Sequence, residues 1–96
     1  MDMNVFYAKY NLSRYYFGDL IHVGTKTLEK YEKGEAVNEV SKGKIKRAIH
    51  IIESNHLVRP RYKNRAFNSV LYRNEYYKTV RDYERTFEDL FNGIDS

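Results

Sequence analysis

No cysteine occurs in this chain of 96 residues, and proline occurs once. The first absence rules out a disulfide framework and any cysteine-ligated metal centre, and it fits a reducing cytoplasm. No apolar stretch approaches the roughly 20 residues needed to span a bilayer, and no apolar run follows a basic start. The expectation is a soluble, cytoplasmic protein without membrane contact. Catalytic motifs are also missing. There is no glycine-rich phosphate loop and no Ser-His-Asp arrangement, and His22, His50 and His56 stand apart from any H-E-x-x-H or other ligand spacing. His56-x-x-Arg59 matches a fragment of a tyrosine-recombinase site, but that kind of domain is far larger. A chain this short buries only a modest core. Taken together, no enzyme activity, no metal and no cofactor are expected.

What is present begins with Leu12 to Gly34, LSRYYFGDLIHVGTKTLEKYEKG. Leu12, Phe17, Leu20, Ile21, Val23, Leu28 and Tyr31 fall at helical spacing on either side of an interruption at His22 to Thr25. This predicts two short helices joined by a tight turn. Ser13 is a suitable N-cap for the first. Gly18 sits where a second helix must approach closely. Gly24 and Thr25 are expected to supply the turn and the next N-cap, and Gly34 a left-handed stop. The second helix, Thr25 to Lys33, turns Leu28 and Tyr31 inward and leaves Thr25, Lys26, Glu29, Lys30 and Lys33 outside.

Written as L-S-x(3)-F-G-x(2)-I-H-V-x(3)-T-L-x(2)-Y-E-x-G, the stretch resembles the Xre/Cro/lambda-repressor-like helix-turn-helix family. The usual pattern there is L-S-x(3)-L-A-x(2)-[LI]-G-V-S-x(2)-T-[IL]-S-x-[YW]-E-x-G. Leu12, Ser13, Val23, Thr27, Leu28, Tyr31, Glu32 and Gly34 match without a gap; Phe17 and Gly18 are close substitutes, and His22 departs. The resemblance implies a small all-α bundle that reads double-stranded DNA with its second motif helix. It puts Thr25, Lys26 and Thr27 at base edges. Many relatives have an arginine six residues before Ser13, where this chain has Tyr7. A common ion-pair partner of Glu32 is therefore missing, and a tyrosine hydroxyl or backbone amides are expected to hold that carboxylate.

The net charge of +4 is unevenly spread. Residues 1–34 carry 5 basic and 4 acidic side chains, residues 35–66 carry 8 and 3, and residues 67–96 carry 4 and 6. A basic middle suits a polyanionic partner, and the acidic last third suits another task. Ahead of the motif, Met3 to Tyr10 predicts a short helix with Val5, Phe6 and Tyr10 inward. Behind it, Glu35 to Glu39 reads as a loop and Ser41 as the N-cap of a helix from Lys42 to Ser54, with Ile45, Ala48, Ile49 and Ile52 as its core stripe. Lysines crowding its first turns oppose the helix dipole, which a phosphate would relieve. Arg59 to Arg65, RPRYKNR, is broken by Pro60 and reads as an exposed arm along the DNA backbone or in the minor groove, or as a solvated linker. From Asn68 to Phe91, Tyr72, Tyr76, Val80, Tyr83, Phe87, Leu90 and Ile94 form a near-heptad seam, with Lys78–Asp82 and Arg85–Asp89 as i,i+4 pairs and Gly93 as the stop. That seam is longer than a mini-bundle covers, so a second copy is expected on it.

The sequence thus predicts an all-α protein: a helix-turn-helix domain over residues 1–57, a basic linker or arm over 58–66, and a long C-terminal helix within 67–96 serving dimerisation. Base contacts are expected from Thr25, Lys26, Thr27, Glu29 and Lys30. Phosphate contacts are expected from Ser13, Arg14, Lys33, Lys42, Lys44, Arg59, Arg61, Lys63 and Arg65, with tyrosine hydroxyls at Tyr15, Tyr16 or Tyr62 as further candidates. The dimer interface is expected at Tyr72, Tyr76, Val80, Tyr83, Phe87 and Leu90, giving a homodimer on a pseudo-palindromic site. The expected role is a transcriptional repressor of phage or mobile-element type. Alternatives are a plasmid centromere- or origin-binding protein, or a phage inhibitor of a host protein built on the same scaffold.

Overall fold

The computed structural model describes residues 2–62 and 70–93, and among them the secondary structure is entirely helical: α1 (Met3–Tyr10), α2 (Arg14–Ile21), α3 (Thr25–Glu32), α4 (Glu39–Asn55) and α5 (Val70–Asn92). The expectations for Lys63, Arg65, residues 67–69 and Ile94 lie outside the described residues.

Helix α1 starts where the Asp2 carboxylate accepts from the Asn4 amide at 2.9 Å and stops at Asn11, which is left-handed at φ 56°. Its buried residues are Met3, Phe6, Tyr7 and Tyr10, at i, i+3, i+4 and i+7. Val5 falls off that stripe and is exposed, contrary to the expectation that it turns inward. The rings of Phe6, Tyr7 and Tyr10 tilt against one another, and Phe17 of α2 meets Phe6 and Tyr7 edge-on at 5.5 and 5.9 Å.

Helix α2 is capped as its sequence predicts, with the Tyr16 amide donating to Ser13 Oγ at 3.0 Å. The turn to α3 differs from expectation. The left-handed residue is His22 at φ 58°, where the resembled family has glycine, while Gly24 is an ordinary extended N-cap at φ −66° and Thr25 is already helical. A left-handed conformation costs a residue with a Cβ about 1–2 kcal/mol. His22 therefore carries strain that closes α2 in a tight corner. Gly18 has a different necessity: a Cβ there would lie 2.5 Å from the Val23 carbonyl oxygen and 3.0 Å from Leu28 Cδ1. That contact sets the approach of α3 to α2.

At the far end of α3 the chain makes the predicted stop. Gly34 is left-handed at φ 77°, its amide donates to Tyr31 O at 3.1 Å, and the Glu35 amide donates to Lys30 O at 2.9 Å. These two bonds satisfy carbonyls that the last turn leaves free.

Helix α4 begins three residues before its predicted start. Asn38, not Ser41, is the N-cap, accepting from the Ser41 amide at 2.8 Å. Asparagine competes well for that position, and Glu39 then sits in the first turn, where a carboxylate favours the helix dipole. Lys42 and Lys44 are displaced toward the second turn, which removes the dipole conflict expected there. The predicted stripe is buried, with Ile51 added.

Phe17, Ile21, Leu28, Ile45, Ala48 and Ile52 are completely buried. Each large one contributes roughly 1.5–3 kcal/mol on leaving water. Phe87 of α5 belongs to the same cluster, with Leu90 and Phe91 packed against it. The C-terminal helix is thus part of one core and not a separate element behind a linker, because the 4-3-4-3 spacing of its apolar residues is satisfied by α4 and α2 of its own chain.

Candidate nucleic-acid interface

Leu28 is fully buried, Tyr31 and Glu32 are half-buried, and on the opposite side Lys26, Lys30 and Lys33 are exposed. Their i, i+4, i+7 spacing makes one cationic stripe along α3. Thr25, Thr27 and Glu29 flank it, each half-buried. Ser13 is exposed at the start of α2. Lys42 and Lys44 are half-buried, and Lys42 lines a shallow cleft of about 400 Å³ with Tyr31, Gly34, Glu35 and Val37, which places it beside the C-terminal end of α3.

The position of α3 is fixed by a polar network at that same end. Arg14 of α2 grips the Glu32 carboxylate with Nη2 to Oε1 at 2.8 Å and Nε to Oε2 at 3.0 Å. The Tyr7 hydroxyl donates to Oε2 at 2.8 Å. The expected tyrosine partner of Glu32 is present, and Arg14 supplies the cation that the sequence lacks at position 7. Arg14 also reaches Glu29 Oε1 at 3.4 Å. The expectation that Arg14 grips phosphate is corrected accordingly: its guanidinium is engaged by two carboxylates of its own chain, through charge-assisted hydrogen bonds. Hydrogen bonds from Arg14 and then Tyr7 hold the Glu32 carboxyl below its ordinary range. The stability it contributes is present above that range and is lost as pH falls through its lowered value.

The segment Leu57–Tyr62 is not a free arm. The Arg59 amide donates to Tyr10 O at 3.0 Å, Asn11 Nδ2 donates to Arg59 O at 2.9 Å, and the Arg59 guanidinium lies 4.2 Å from the centre of the Tyr16 ring. Among the phosphate-contact candidates in this segment, Arg59 is committed to Tyr16 and Arg61 is exposed. Pro60 does break the helix, but the extended chain it produces is a strap between α1 and α5. Tyr76 donates to Pro60 O at 3.4 Å and Tyr83 to Leu57 O at 2.9 Å.

Of the expected dimer seam, Tyr83 and Phe87 are buried in their own protomer and Leu90 packs on the same core. Tyr72 and Tyr76 meet the Tyr62 ring at 5.2 and 5.0 Å, and Val80 is half-buried. This side of α5 is therefore used within the chain, and the expectation that it is the dimer interface is corrected. Tyr16, a phosphate candidate, instead donates to Glu84 Oε2 at 2.7 Å. Tyr15 remains exposed. Among the described residues, the ion pairs within 4 Å are those of Arg14, so the expected Lys78–Asp82 and Arg85–Asp89 pairs are not closed.

Sequence reasoning missed Arg14–Glu32 and Arg59–Tyr16, both of which span long separations. The one signal was Glu32 on α3 with no arginine on α1 to meet it. Comparison of the chain with family models, with curated proteins and with solved structures finds no match. Among the described residues, no helix is long and apolar enough to cross a membrane.

Three tyrosines lock this scaffold and give it an alkaline limit. Burial, aided by hydrogen bonds to Glu32 and Glu84, raises the hydroxyls of Tyr7 and Tyr16 far above 10, and burial pushes Tyr83 up to about 12. Because the folded values are raised, the stability is fully present below pH 10 and is lost as pH climbs through the folded values. At least three of the ten tyrosines should ionise only together with loss of the helical circular dichroism. Ten tyrosines titrating near their ordinary value in a folded chain would refute the assignment.

Proposed function

We propose that this chain is a sequence-specific double-stranded DNA-binding protein that places α3 in the major groove, acting as a small cytoplasmic repressor of phage or mobile-element type. The observation that carries the reading is the Lys26–Lys30–Lys33 stripe on a short helix whose other face is locked by Leu28, Gly18 and the Arg14–Glu32 pair. A rigid helix with a cationic outer face matches a groove lined by acceptors and phosphates. Lys26 is the candidate for guanine O6 or N7, Thr25 and Thr27 flank it, and Lys30 reaches base or phosphate. Lys33, Lys42 and Ser13 bracket the helix as backbone contacts that set register. Repression follows from occupancy, since a bound promoter excludes polymerase.

Selection from random duplexes at stated salt tests this. Lys26→Ala should relax preference at one base pair by about 1–3 kcal/mol, whereas Lys42→Ala should weaken binding to every sequence and reduce the salt slope by about 1. Failure to select any preferred duplex, or indifference of binding to both substitutions, would overturn the reading.

A further inference from the structure

The outward side of α5 has two unusual properties. The first is apolar exposure at one end. Val70, Leu71 and Tyr77 are 60 %, 75 % and 54 % exposed, although the helix's inner side is packed. The second is a charge that changes sign along the helix. Its first half, Val70 to Arg81, carries Arg73, Lys78 and Arg81 against Glu75, and its second half, Asp82 to Asn92, carries Asp82, Glu88 and the half-buried Asp89 against Arg85, Glu84 being turned to Tyr16. Arg73, Lys78, Arg81, Asp82 and Glu88 are all exposed. Among the described residues, no carboxylate lies within 4 Å of the three basic side chains and no cation within 4 Å of Asp82 or Glu88.

We infer that the outward face of α5 docks the same face of a second copy of this chain, antiparallel, with a two-fold axis near the middle of the helix. Charge complementarity chooses both occupant and direction. An antiparallel pair lays the basic half of each helix over the acidic half of the other, whereas a parallel pair lays like on like at both ends. A two-fold interface requires a self-complementary surface, and a helix whose sign inverts about its midpoint is one. Leu71 and Val70 at each end then lie over the opposite helix's last turn, where Asn92 is exposed, and leave water. This face is distinct from the seam through Tyr83 and Phe87, which remains inside each protomer. The inference does not depend on DNA binding.

The full chain, followed by sedimentation equilibrium, should be a dimer at low salt, with affinity falling by about tenfold or more at high salt as screening shortens the reach of the exposed charges. Reversing the basic half with Arg73→Glu and Lys78→Glu, or the acidic half with Asp82→Lys and Glu88→Lys, should weaken self-association by about a hundredfold while circular dichroism is unchanged. An equimolar mixture of the two variants should restore a one-to-one dimer. Since the chain has no cysteine, direction can be read by oxidation. Leu71→Cys mixed with Asn92→Cys should form the mixed disulfide, and Leu71→Cys alone should not cross-link. A wild-type chain monomeric at every salt, a mixture that stays monomeric, or Leu71→Cys cross-linking to itself would overturn the proposal.

Discussion

Phe87→Ala is expected to lower stability by about 3–5 kcal/mol, a large share of what a domain of this size possesses. Phe87 is 1 % exposed, stacks on Phe91 at 5.3 Å and closes the core formed by α2 and α4. Its removal leaves a cavity that helices pinned at several points cannot collapse to fill. Those points include Tyr16 on Glu84, Tyr83 on Leu57, and Arg47, which donates from Nε to Phe91 O at 2.9 Å. Thermal unfolding should show a fall in midpoint of more than about 10 °C. The loss relative to wild type should also be the same at every protein concentration, because the contact lies within one chain. A loss that shrank as concentration rose would mean that Phe87 packs against a second copy, and the intramolecular seam described above would be wrong.

Gly18→Ala is expected to destabilise by about 1–3 kcal/mol or more, although in an exposed helix the same change stabilises by about 1 kcal/mol through helix propensity. The sign reverses because the new Cβ would meet a backbone oxygen at 2.5 Å. A side-chain tip could swing aside, but the Val23 carbonyl can retreat only if the turn or α3 moves with it. The substitution should therefore also reduce binding to a selected duplex by more than its effect on folding explains. A Gly18→Ala protein as stable as wild type would show that the approach is looser than described.

The fold was legible where its cause is local. The Ser13 cap, the Gly34 stop, the inner stripe of α4 and the periodicity of α5 each depend on residues within a few positions of one another. The beginning of α4 was misplaced because Ser41 was read as the cap, while Asn38, inside the stretch read as a loop, caps the helix three residues earlier. The turn was misassigned because glycine is the usual left-handed residue, whereas here His22 takes that role and Gly24 stays extended. The destination of the α5 seam was not legible at all. Periodicity identifies an apolar face but not what covers it, and the same spacing serves a dimer or a fold-back. The candidate interface divided along the same line. Lys26, Lys30 and Lys33 were readable as outward from helical phase. Arg14 and Arg59, counted as free cations by composition, are engaged by partners 18 residues away or, for Arg59 on Tyr16, in another element.

The anchoring of α3 is uneven. Its C-terminal end is held by Glu32 on Arg14 and Tyr7 and by the two closing bonds around Gly34, whereas its N-terminal cap, Gly24, offers no side-chain hydrogen bond. The first turn is positioned by packing instead, through buried Val23 and Leu28 and the close approach at Gly18. The two ends thus differ in kind: charge and hydrogen bonds fix the last turn, and they weaken as acid protonates Glu32, whereas packing fixes the first and is indifferent to pH. Acid should therefore release the last turn of α3 before the first.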